Sequence, residues 1–238
     1  MRTENLEYSL GEMHFRGHFA YDDHKQGRRP GVLVVHEAWG LDEHAKERAE
    51  RLADAGFAAL AVDMYGGGRQ ASSSAEGLQW TKALRADVPT LRARIRAAFD
   101  ALRARAEVDP ERIAAIGYCF GGTTALELAR SGASVRGVVS FHGGPTTEMP
   151  AGPGQISAKI VSITGADDPF IPIYQVTAFI EEMKRAQADA QVMVYTGVQH
   201  AFTNPRADER GIPGLAYNRL ADERSWTTMM QFFAEIFA

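Results

Sequence analysis

The only cysteine of the chain lies in a pattern that suits a nucleophile. Residues 116–122 read IGYCFGG, so Cys119 stands between Gly117 and Gly121. In the pattern Gly-x-nucleophile-x-Gly, the glycines permit a sharp strand-to-helix turn that projects the nucleophile above a sheet. The helix N-terminus that follows favours a thiolate. A buried, inert thiol is the alternative, since free cysteines are often buried. The glycines, the preceding apolar run and the following helical stretch favour the nucleophile.

A thiol nucleophile needs a base, and two later segments supply the candidates. A free thiol with a pKa of roughly 8.5 is mostly protonated at neutral pH. A nucleophile elbow is followed along the chain by an acid and then a histidine. Asp168 and His200 come in that order, each after a predicted strand. His200 would take the thiol proton, and Asp168 would fix the tautomer and orientation of the imidazole ring. Asp167 is the competing acid and His142 the alternative base.

A loop near the start of the chain is the candidate for stabilising an oxyanion. Acyl transfer needs two backbone N–H groups aimed at the developing negative charge. We expect one from Phe120, directly after the cysteine, and one from Ala38, in the loop after an early strand. Glu37 beside Ala38 would oppose that charge, so it must be paired, protonated or moved during turnover; an exposed loop acid is the alternative. A His-Glu metalloprotease motif is excluded because Gly40 stands where the second histidine belongs, and no metal site is predicted.

The segments that carry these residues alternate between strand and helix signals. Apolar, β-branched runs typical of buried parallel strands cover 31–36, 57–62, 112–116, 135–141, 159–164 and 191–195. Helical periodicity covers about 42–55, 75–84, 90–106, 123–130, 173–188 and 215–237. The alternation predicts an α/β fold with a mostly parallel sheet and helices on both faces. Chemistry in such sheets gathers in loops at the carboxyl ends of the strands, where all the candidates above lie.

Composition narrows the functional classes. The 238 residues suit one domain spanning 1–238, and a hydrophobic content of 45% allows a sizeable core. A net charge of -4 with mixed signs argues against nucleic acid as a partner. One cysteine forms no internal disulfide, and the chain has neither a signal-peptide pattern nor an apolar run of membrane-spanning length. We expect a cytoplasmic monomer or small homo-oligomer that acts on a small molecule, away from membranes.

Five short motifs together resemble the dienelactone hydrolase family of α/β hydrolases. They are HEAWGL (36–41), AVDMYG (61–66), IGYCFGG (116–122), GADDPFIP (165–172) and GVQHAF (197–202), in family order over most of the chain. The resemblance implies the α/β-hydrolase fold, no cofactor, and a Cys–His–Asp triad on Cys119, His200 and Asp168. It also implies that Glu37 holds the resting thiol and releases it when substrate binds.

The resemblance also suggests substrate contacts, with one departure. Dienelactone hydrolases recognise the substrate carboxylate with arginines, one of them four residues after the catalytic histidine. Here that position is Asn204, and Arg206 follows two residues later. The other arginine falls in a variable region. The remaining candidates for substrate contacts are Trp39, Phe202, Arg69 and Arg85.

These residues predict a cofactor-free hydrolase of carboxylic esters or lactones, similar to dienelactone hydrolase (carboxymethylenebutenolidase), that works through a thioester intermediate. A carboxylesterase or thioesterase of the same fold with an unrelated substrate is the first alternative. The second is a non-catalytic binding protein that keeps the hydrolase shell. A redox-sensing Cys119 is disfavoured because the chain has no second cysteine to resolve it.

Overall fold

The computed structural model describes residues 1–238, and its central feature is one eight-stranded sheet. The strands are β1 (Arg2–Leu10), β2 (Met13–Tyr21), β3 (Arg29–Val35), β4 (Ala58–Val62), β5 (Val108–Tyr118), β6 (Gly137–Phe141), β7 (Lys159–Gly165) and β8 (Ala190–Tyr195). They lie in the order β1-β2-β4-β3-β5-β6-β7-β8. β1 and β2 are antiparallel to their neighbours, and all other pairs are parallel. The predicted α/β fold with a mostly parallel sheet is confirmed.

Six helices cover the two faces of the sheet. They are α1 (Glu43–Asp54), α2 (Ser74–Ala86), α3 (Val88–Arg103), α4 (Phe120–Arg130), α5 (Ile173–Ala186) and α6 (Arg219–Ile236). In β3, Leu33 and Val35 point into an apolar core shared with α2 to α5, whereas Val32 and Val34 point into a second core shared with α1 and α6. Because both faces are buried, the central strands are apolar where they cross the core, at residues 31–35, 58–62 and 113–118. No helix is both long enough and apolar enough to cross a bilayer.

The helix N-termini differ in a way that matters for chemistry. In α1, α2, α3 and α6 the preceding Asp42, Ser73, Asp87 and Asn218 accept a hydrogen bond from a backbone N–H of the first turn. These caps satisfy donors that a helix leaves unpaired. α4 has Cys119 at that position, and its side chain makes no capping bond. The first turn of α4 therefore keeps N–H groups available for a ligand.

Three segments differ from the sequence-based expectation. The β1–β2 hairpin was not predicted, because its strands alternate charged and apolar residues around a tight turn at Gly11 (φ 58°) and form the edge of the sheet. α4 begins at Phe120 rather than near residue 123, since the turn at Cys119 leads straight into the helix. α6 begins at Arg219, not 215, because the backbone of Gly214 and Ala216 hydrogen-bonds to His200 instead.

The turn between β5 and α4 has no room for side chains at its glycines. Cys119 takes a left-handed conformation with φ 53° and ψ −115°, which is rare for a residue with a side chain. A Cβ atom on Gly117 would overlap the carbonyl oxygen of Gly121, and one on Gly121 would overlap the carbonyl oxygen of Val35. Backbone atoms cannot give way as a flexible side chain can, so the elbow requires both glycines.

Gly121→Ala is therefore expected to destabilise the fold. The added methyl forces β3 and α4 apart, and overpacking of this kind costs about 3 kcal/mol or more in the free energy of unfolding. Urea denaturation followed by circular dichroism measures it. The control is Gly152→Ala, because a Cβ there meets only the Gln155 Oε1 atom, at 3.7 Å. Equal denaturation midpoints for the two variants would contradict the steric argument.

Candidate active site

Three predicted site residues come together at the carboxyl ends of the parallel strands. Cys119 follows β5, Asp168 follows β7, and His200 follows β8. His200 Nδ1 lies 2.6 Å from Asp168 Oδ2, and both side chains are buried. The other oxygen of Asp168, Oδ1, accepts hydrogen bonds from the backbone N–H groups of Phe170 (2.8 Å) and Ile171 (3.2 Å). The neighbouring Asp167 is exposed and has no contact with His200. Asp168, and not Asp167, is thus the carboxylate in contact with the imidazole ring of His200.

The surroundings of His200 favour the protonated form of its ring. Burial alone would lower the pKa of His200, but negative charge on Cys119 and the hydrogen bond to Asp168 outweigh burial and raise it to about 10. Cys119 and His200 also line the same cavity. An imidazolium beside a thiol favours the thiolate, which is the nucleophilic form of cysteine.

His142, the alternative base, has a different position. Its Nδ1 accepts a hydrogen bond from the Cys119 N–H at 3.0 Å, so its Nε2 carries the proton and donates to Thr203 Oγ1 at 2.8 Å. Burial, together with the charge of His200, lowers the pKa of His142 well below its ordinary value. A neutral imidazole with both nitrogens engaged has no lone pair for the thiol proton. His142 instead holds the backbone of the elbow.

The two backbone donors predicted for an oxyanion face the same cavity. Ala38 and Phe120 both line it. The Ala38 N–H has no acceptor in the protein, and the N–H of Phe120 belongs to the uncapped first turn of α4. The next peptide unit is fixed by Tyr65, whose Oη donates to the Ala38 carbonyl oxygen at 3.0 Å. The site therefore offers two free donors beside Cys119.

Residues 66–74, for which sequence reasoning gave no role, support this loop. The Ala71 N–H donates to the Trp39 carbonyl at 2.9 Å, and Gln70 Nε2 donates to the Leu41 carbonyl at 2.8 Å. Gly40 lies against the backbone of residues 69 and 70 with φ 89°, a close approach that excludes a side chain. No residue of 66–74 lines the cavity. The segment thus braces the oxyanion loop from outside.

Glu37 is buried, and its partner is Asn204. Glu37 Oε2 accepts a hydrogen bond from Asn204 Nδ2 at 2.5 Å and lies 4.0 Å from His44 Nδ1. Burial and the nearby charge of Asp42 raise the pKa of Glu37 from 4.5 to about 7, although the bond from Asn204 opposes them. No hydrogen bond joins Glu37 to Cys119 in this structure, so its control of the thiol stays a prediction. Sequence reasoning noted Asn204 only as a departure from the family; its spacing of four residues from His200 was the available signal.

The pKa of Glu37 sets a pH dependence of stability. Between pH 4.5 and about 7 the folded protein keeps a proton that the unfolded chain has lost, so stability falls as pH rises through this window. The loss attributable to this carboxyl is about 3 kcal/mol. Glu37→Gln retains an acceptor for Asn204 and removes the titration. We expect the difference in unfolding free energy, variant minus wild type, to increase as pH rises from 4.5 to 7. Urea titrations at several pH values measure this difference. A constant difference would contradict the buried acid.

The cavity in front of Cys119 is small and mostly apolar. It has a volume of about 170 Å³. The predicted contact Trp39 lines it, as do Phe170, Ile171, Ile212 and Leu215. The predicted contact Arg85 stands at its edge, where Nη2 donates to Thr146 Oγ1 at 3.2 Å, and it has no acidic partner. An apolar site with one free arginine suits a small carbonyl compound that carries a negative charge.

One wall of this cavity comes from a segment that sequence reasoning assigned partly to a helix. Residues 211–217 run beside His200, whose N–H donates to the Gly214 carbonyl and whose carbonyl accepts from the Ala216 N–H, both at 3.0 Å. A short 3₁₀ helix, Ala207–Arg210, precedes them. The Arg210 guanidinium lies 4.7 Å from the centre of the Trp39 ring and 3.4 Å from Asp42 Oδ2. Arg210 thereby fastens this wall to the oxyanion loop.

Three predicted substrate contacts lie away from the cavity in front of Cys119. Phe202 is fully buried against the ring of His142, because the chain turns into the core after His200. Arg206 makes a salt bridge with Glu47 of α1 at 2.5 Å on the surface. The Arg69 guanidinium lies over the Trp80 ring at 5.0 Å and donates to the Tyr65 carbonyl. None of the three lines the cavity in front of Cys119.

The fold is that of an α/β hydrolase. It has the mostly parallel sheet, the elbow after β5 and polar side chains at the ends of the strands that follow. A solved structure described as a dienelactone hydrolase-like promiscuous phosphotriesterase from metagenomic libraries is 44% identical, covers 99% of this chain and 98% of that one, and has a TM-score of 0.94. Another, called m3DLH, is 43% identical, covers 100% and 99% of the two chains, and has a TM-score of 0.96.

The family model described as "Dienelactone hydrolase family" matches residues 15–237, so the chain belongs to this family and is a hydrolase. Among named relatives, "Probable 2-oxo-3-(5-oxofuran-2-ylidene)propanoate lactonase" of Bradyrhizobium sp. is 30% identical over 86% of this chain and 83% of its own length. "Protein usf" of Aquifex pyrophilus is 28% identical over 87% of this chain and 88% of its own length. The resemblance found in the five motifs is confirmed.

Proposed function

We propose that the protein hydrolyses carboxylic esters and lactones with a Cys119–His200–Asp168 triad and no cofactor. The observation that carries the proposal is the 2.6 Å contact between His200 Nδ1 and Asp168 Oδ2 beside Cys119. It fixes the imidazole with Nε2 free for proton transfer. The enol lactones of the family's name are one substrate class that suits this small, apolar cavity.

The first half of the reaction forms a thioester. The Cys119 thiolate attacks the carbonyl carbon, a C–S bond forms, and the carbonyl oxygen becomes an oxyanion held by the N–H groups of Ala38 and Phe120. Collapse of the tetrahedral intermediate breaks the C–O bond, and the leaving oxygen takes the proton of His200 Nε2. An enolate is a good leaving group, so hydrolysis of an enol lactone needs little general-acid assistance from His200.

The second half regenerates the enzyme. Water attacks the thioester carbonyl while His200, now neutral, accepts a proton from the water. The acid product leaves as the C–S bond breaks, and Cys119 returns as the thiolate beside the imidazolium. Asp168 keeps the ring in one orientation during both proton transfers.

Glu37 adds a control step in this proposal. Its pKa of about 7 lets it hold or release a proton near neutral pH. Where Cys119 is still a thiol when substrate enters, an ionised Glu37 exchanges its bond with Asn204 for one with the thiol and takes its proton, which leaves Glu37 neutral and lets His200 keep its own proton for the leaving group. The buried position of Glu37 next to Ala38 supports this role. A charged Glu37 would repel the oxyanion, so the carboxyl works best in its neutral form.

Trapping the intermediate tests the proposal. Protein mixed with p-nitrophenyl acetate and quenched in acid during the burst should carry one acetyl group on the peptide that contains Cys119, detected by mass spectrometry. Prior alkylation with iodoacetamide should remove both the acetyl group and p-nitrophenol release. Turnover that survives alkylation, or an acetyl group on a different residue, would overturn the triad. Comparing a panel of simple esters and thioesters with dienelactone then separates the substrate classes.

A second activity is hydrolysis of phosphotriesters. The 44% identical structure with a TM-score of 0.94 is described as a promiscuous phosphotriesterase, which supports this extension to the present chain. The same thiolate would attack phosphorus and expel an aryloxide, and the same N–H groups would bind the phosphoryl oxygen. Diethyl p-nitrophenyl phosphate is the probe. Release of p-nitrophenol that disappears on alkylation of Cys119 supports the activity, and no release above the rate in buffer argues against it.

A further inference from the structure

A second, larger cavity opens next to the catalytic one. It is an open groove of about 670 Å³, and we call it the α2 groove because α2 supplies five of its lining residues. Both cavities are lined by Leu78, Thr81, Arg85 and Thr123, so the two spaces adjoin at these side chains. The catalytic cavity alone, at about 170 Å³, is smaller than the roughly 300–1,000 Å³ typical of small-molecule sites. A substrate larger than a small lactone would have to extend into the groove.

The position of His200 decides which part of the substrate lies in the groove. The catalytic cavity has a wall near His200, formed by Phe170, Ile171, Ile212 and Leu215, and none of these residues lines the α2 groove. A leaving group that takes its proton from His200 departs toward that wall. The acyl part then points toward α2. This step rests on the proposed triad.

The charges of the groove indicate what the acyl part carries. Lys82 and Arg85 are three residues apart on α2 and both line the groove, yet neither has an acidic partner. The buried Glu127 is neutralised by Arg92 and Arg130, each at 2.8 Å.

The balance of the remaining groups favours an anion. Glu148 also lines the groove, without a basic partner, so two free cations face one free carboxylate. The other walls combine the apolar side chains of Val88 and Leu91 with four threonines, Thr81, Thr123, Thr146 and Thr147. An extended chain with an anionic end matches this mixed lining.

We propose that the α2 groove binds the acyl chain of extended esters that carry a carboxylate at the far end, with Lys82 as the group that recognises it. Arg85 lies at the junction of the two cavities and meets anionic groups near the reacting carbonyl, whereas Lys82 lies within the groove and meets those further away. The natural substrates in this proposal are half-esters of linear dicarboxylic acids.

The experiment compares three p-nitrophenyl esters on the full-length protein: acetate, octanoate and the half-ester of suberic acid. The wild type should hydrolyse the suberate with a kcat/KM at least about tenfold above that for the octanoate of equal chain length. Ala86 is exposed and lines the α2 groove but not the catalytic cavity, so a bulky side chain at this position should block the groove. Ala86→Trp should lower kcat/KM for both long esters at least about tenfold and leave the acetate unchanged.

Charge variants isolate the recognition of the carboxylate. Lys82→Glu should remove the preference for suberate over octanoate, and Lys82→Arg should keep it. Gln79→Glu is the matched control, because Gln79 is an exposed residue of α2 outside both cavities. Circular dichroism checks that each variant is folded.

The outcomes separate this inference from the proposed triad. Equal kcat/KM for suberate and octanoate in the wild type, or full activity of Ala86→Trp on the long esters, would overturn the groove inference while acetate turnover still reports on Cys119. If acetate turnover survives alkylation of Cys119, the triad itself fails, whatever the long esters show.

Discussion

Cys119→Ala is expected to lower kcat for an activated ester by at least about a thousandfold. In the proposed mechanism the thiolate forms the covalent intermediate, and no serine, lysine or second cysteine lines the cavity. What remains is acceleration by the oxyanion donors acting on water, which is small by comparison. Steady-state hydrolysis of p-nitrophenyl acetate and of dienelactone measures the effect.

Cys119→Ser complements the alanine variant because it tests whether a hydroxyl can replace the thiol. It keeps nearly the same volume at the strained turn, but a serine hydroxyl is not ionised by a neighbouring imidazolium. We expect the serine variant to fold normally and to be nearly as slow as the alanine variant. Activity close to that of the wild type in the alanine variant would rule out covalent catalysis at this position.

Asp168→Asn is expected to lower kcat by about ten-thousandfold, as removal of the acid does in other triads. An asparagine NH₂ group can donate to His200 Nδ1, which selects the tautomer that leaves Nε2 protonated and unable to accept a proton. The contribution of Asp168 to the raised pKa of His200 is lost as well, so the alkaline limb of the pH–rate profile should move to lower pH. Stopped-flow assays between pH 6 and 11 measure both effects.

Asp167→Asn is the matched control for this variant. Asp167 is the adjacent carboxylate, but it is exposed and has no contact with His200. Its kcat should stay within about twofold of the wild type, as expected for a surface substitution. Comparable losses in the two variants would show that charge near the loop, rather than the hydrogen bond to His200, accounts for the effect.

Much of the sheet was predictable from sequence because burial on both faces leaves a strong signal. Residues 31–36 and 57–62 are continuous apolar runs, and the structure places β3 and β4 there. The β1–β2 hairpin left only a weak signal, because charged residues alternate with apolar ones at the edge of the sheet. Local patterns therefore reported the buried strands; of the half-exposed ones they reported β8, predicted at 191–195, and missed the β1–β2 hairpin.

The candidate site also contains residues that the sequence predicted and contacts that it did not predict. Cys119, Asp168 and His200 could be located because parallel strands carry their loops to one edge. The bond from Asn204 to Glu37 joins residues far apart in sequence, and the bond from Cys119 N–H to His142 depends on one ring orientation. Such contacts depend on tertiary packing, which the spacing of residues along the sequence does not predict. For the same reason Phe202 and Arg206, near His200 in sequence, were assigned to the pocket although the chain turns them away.

The hydrogen bond from the Cys119 N–H to His142 has a consequence for handling the protein. Burial lowers the pKa of His142, so the free energy of unfolding decreases as pH falls below about 6.5. In this range the unfolded chain binds a proton that the folded protein does not bind. Protonation of Nδ1 would also remove one of the two acceptors of the Cys119 N–H and leave only the Phe141 carbonyl. Acid elution or storage in acidic buffer should therefore loosen the turn around the sole thiol. Above neutrality the turn keeps its bonds, but a thiol there is more often a thiolate, the form that oxidises, so a reductant is needed. Buffers kept above neutrality, with a reductant present, should preserve active protein longest.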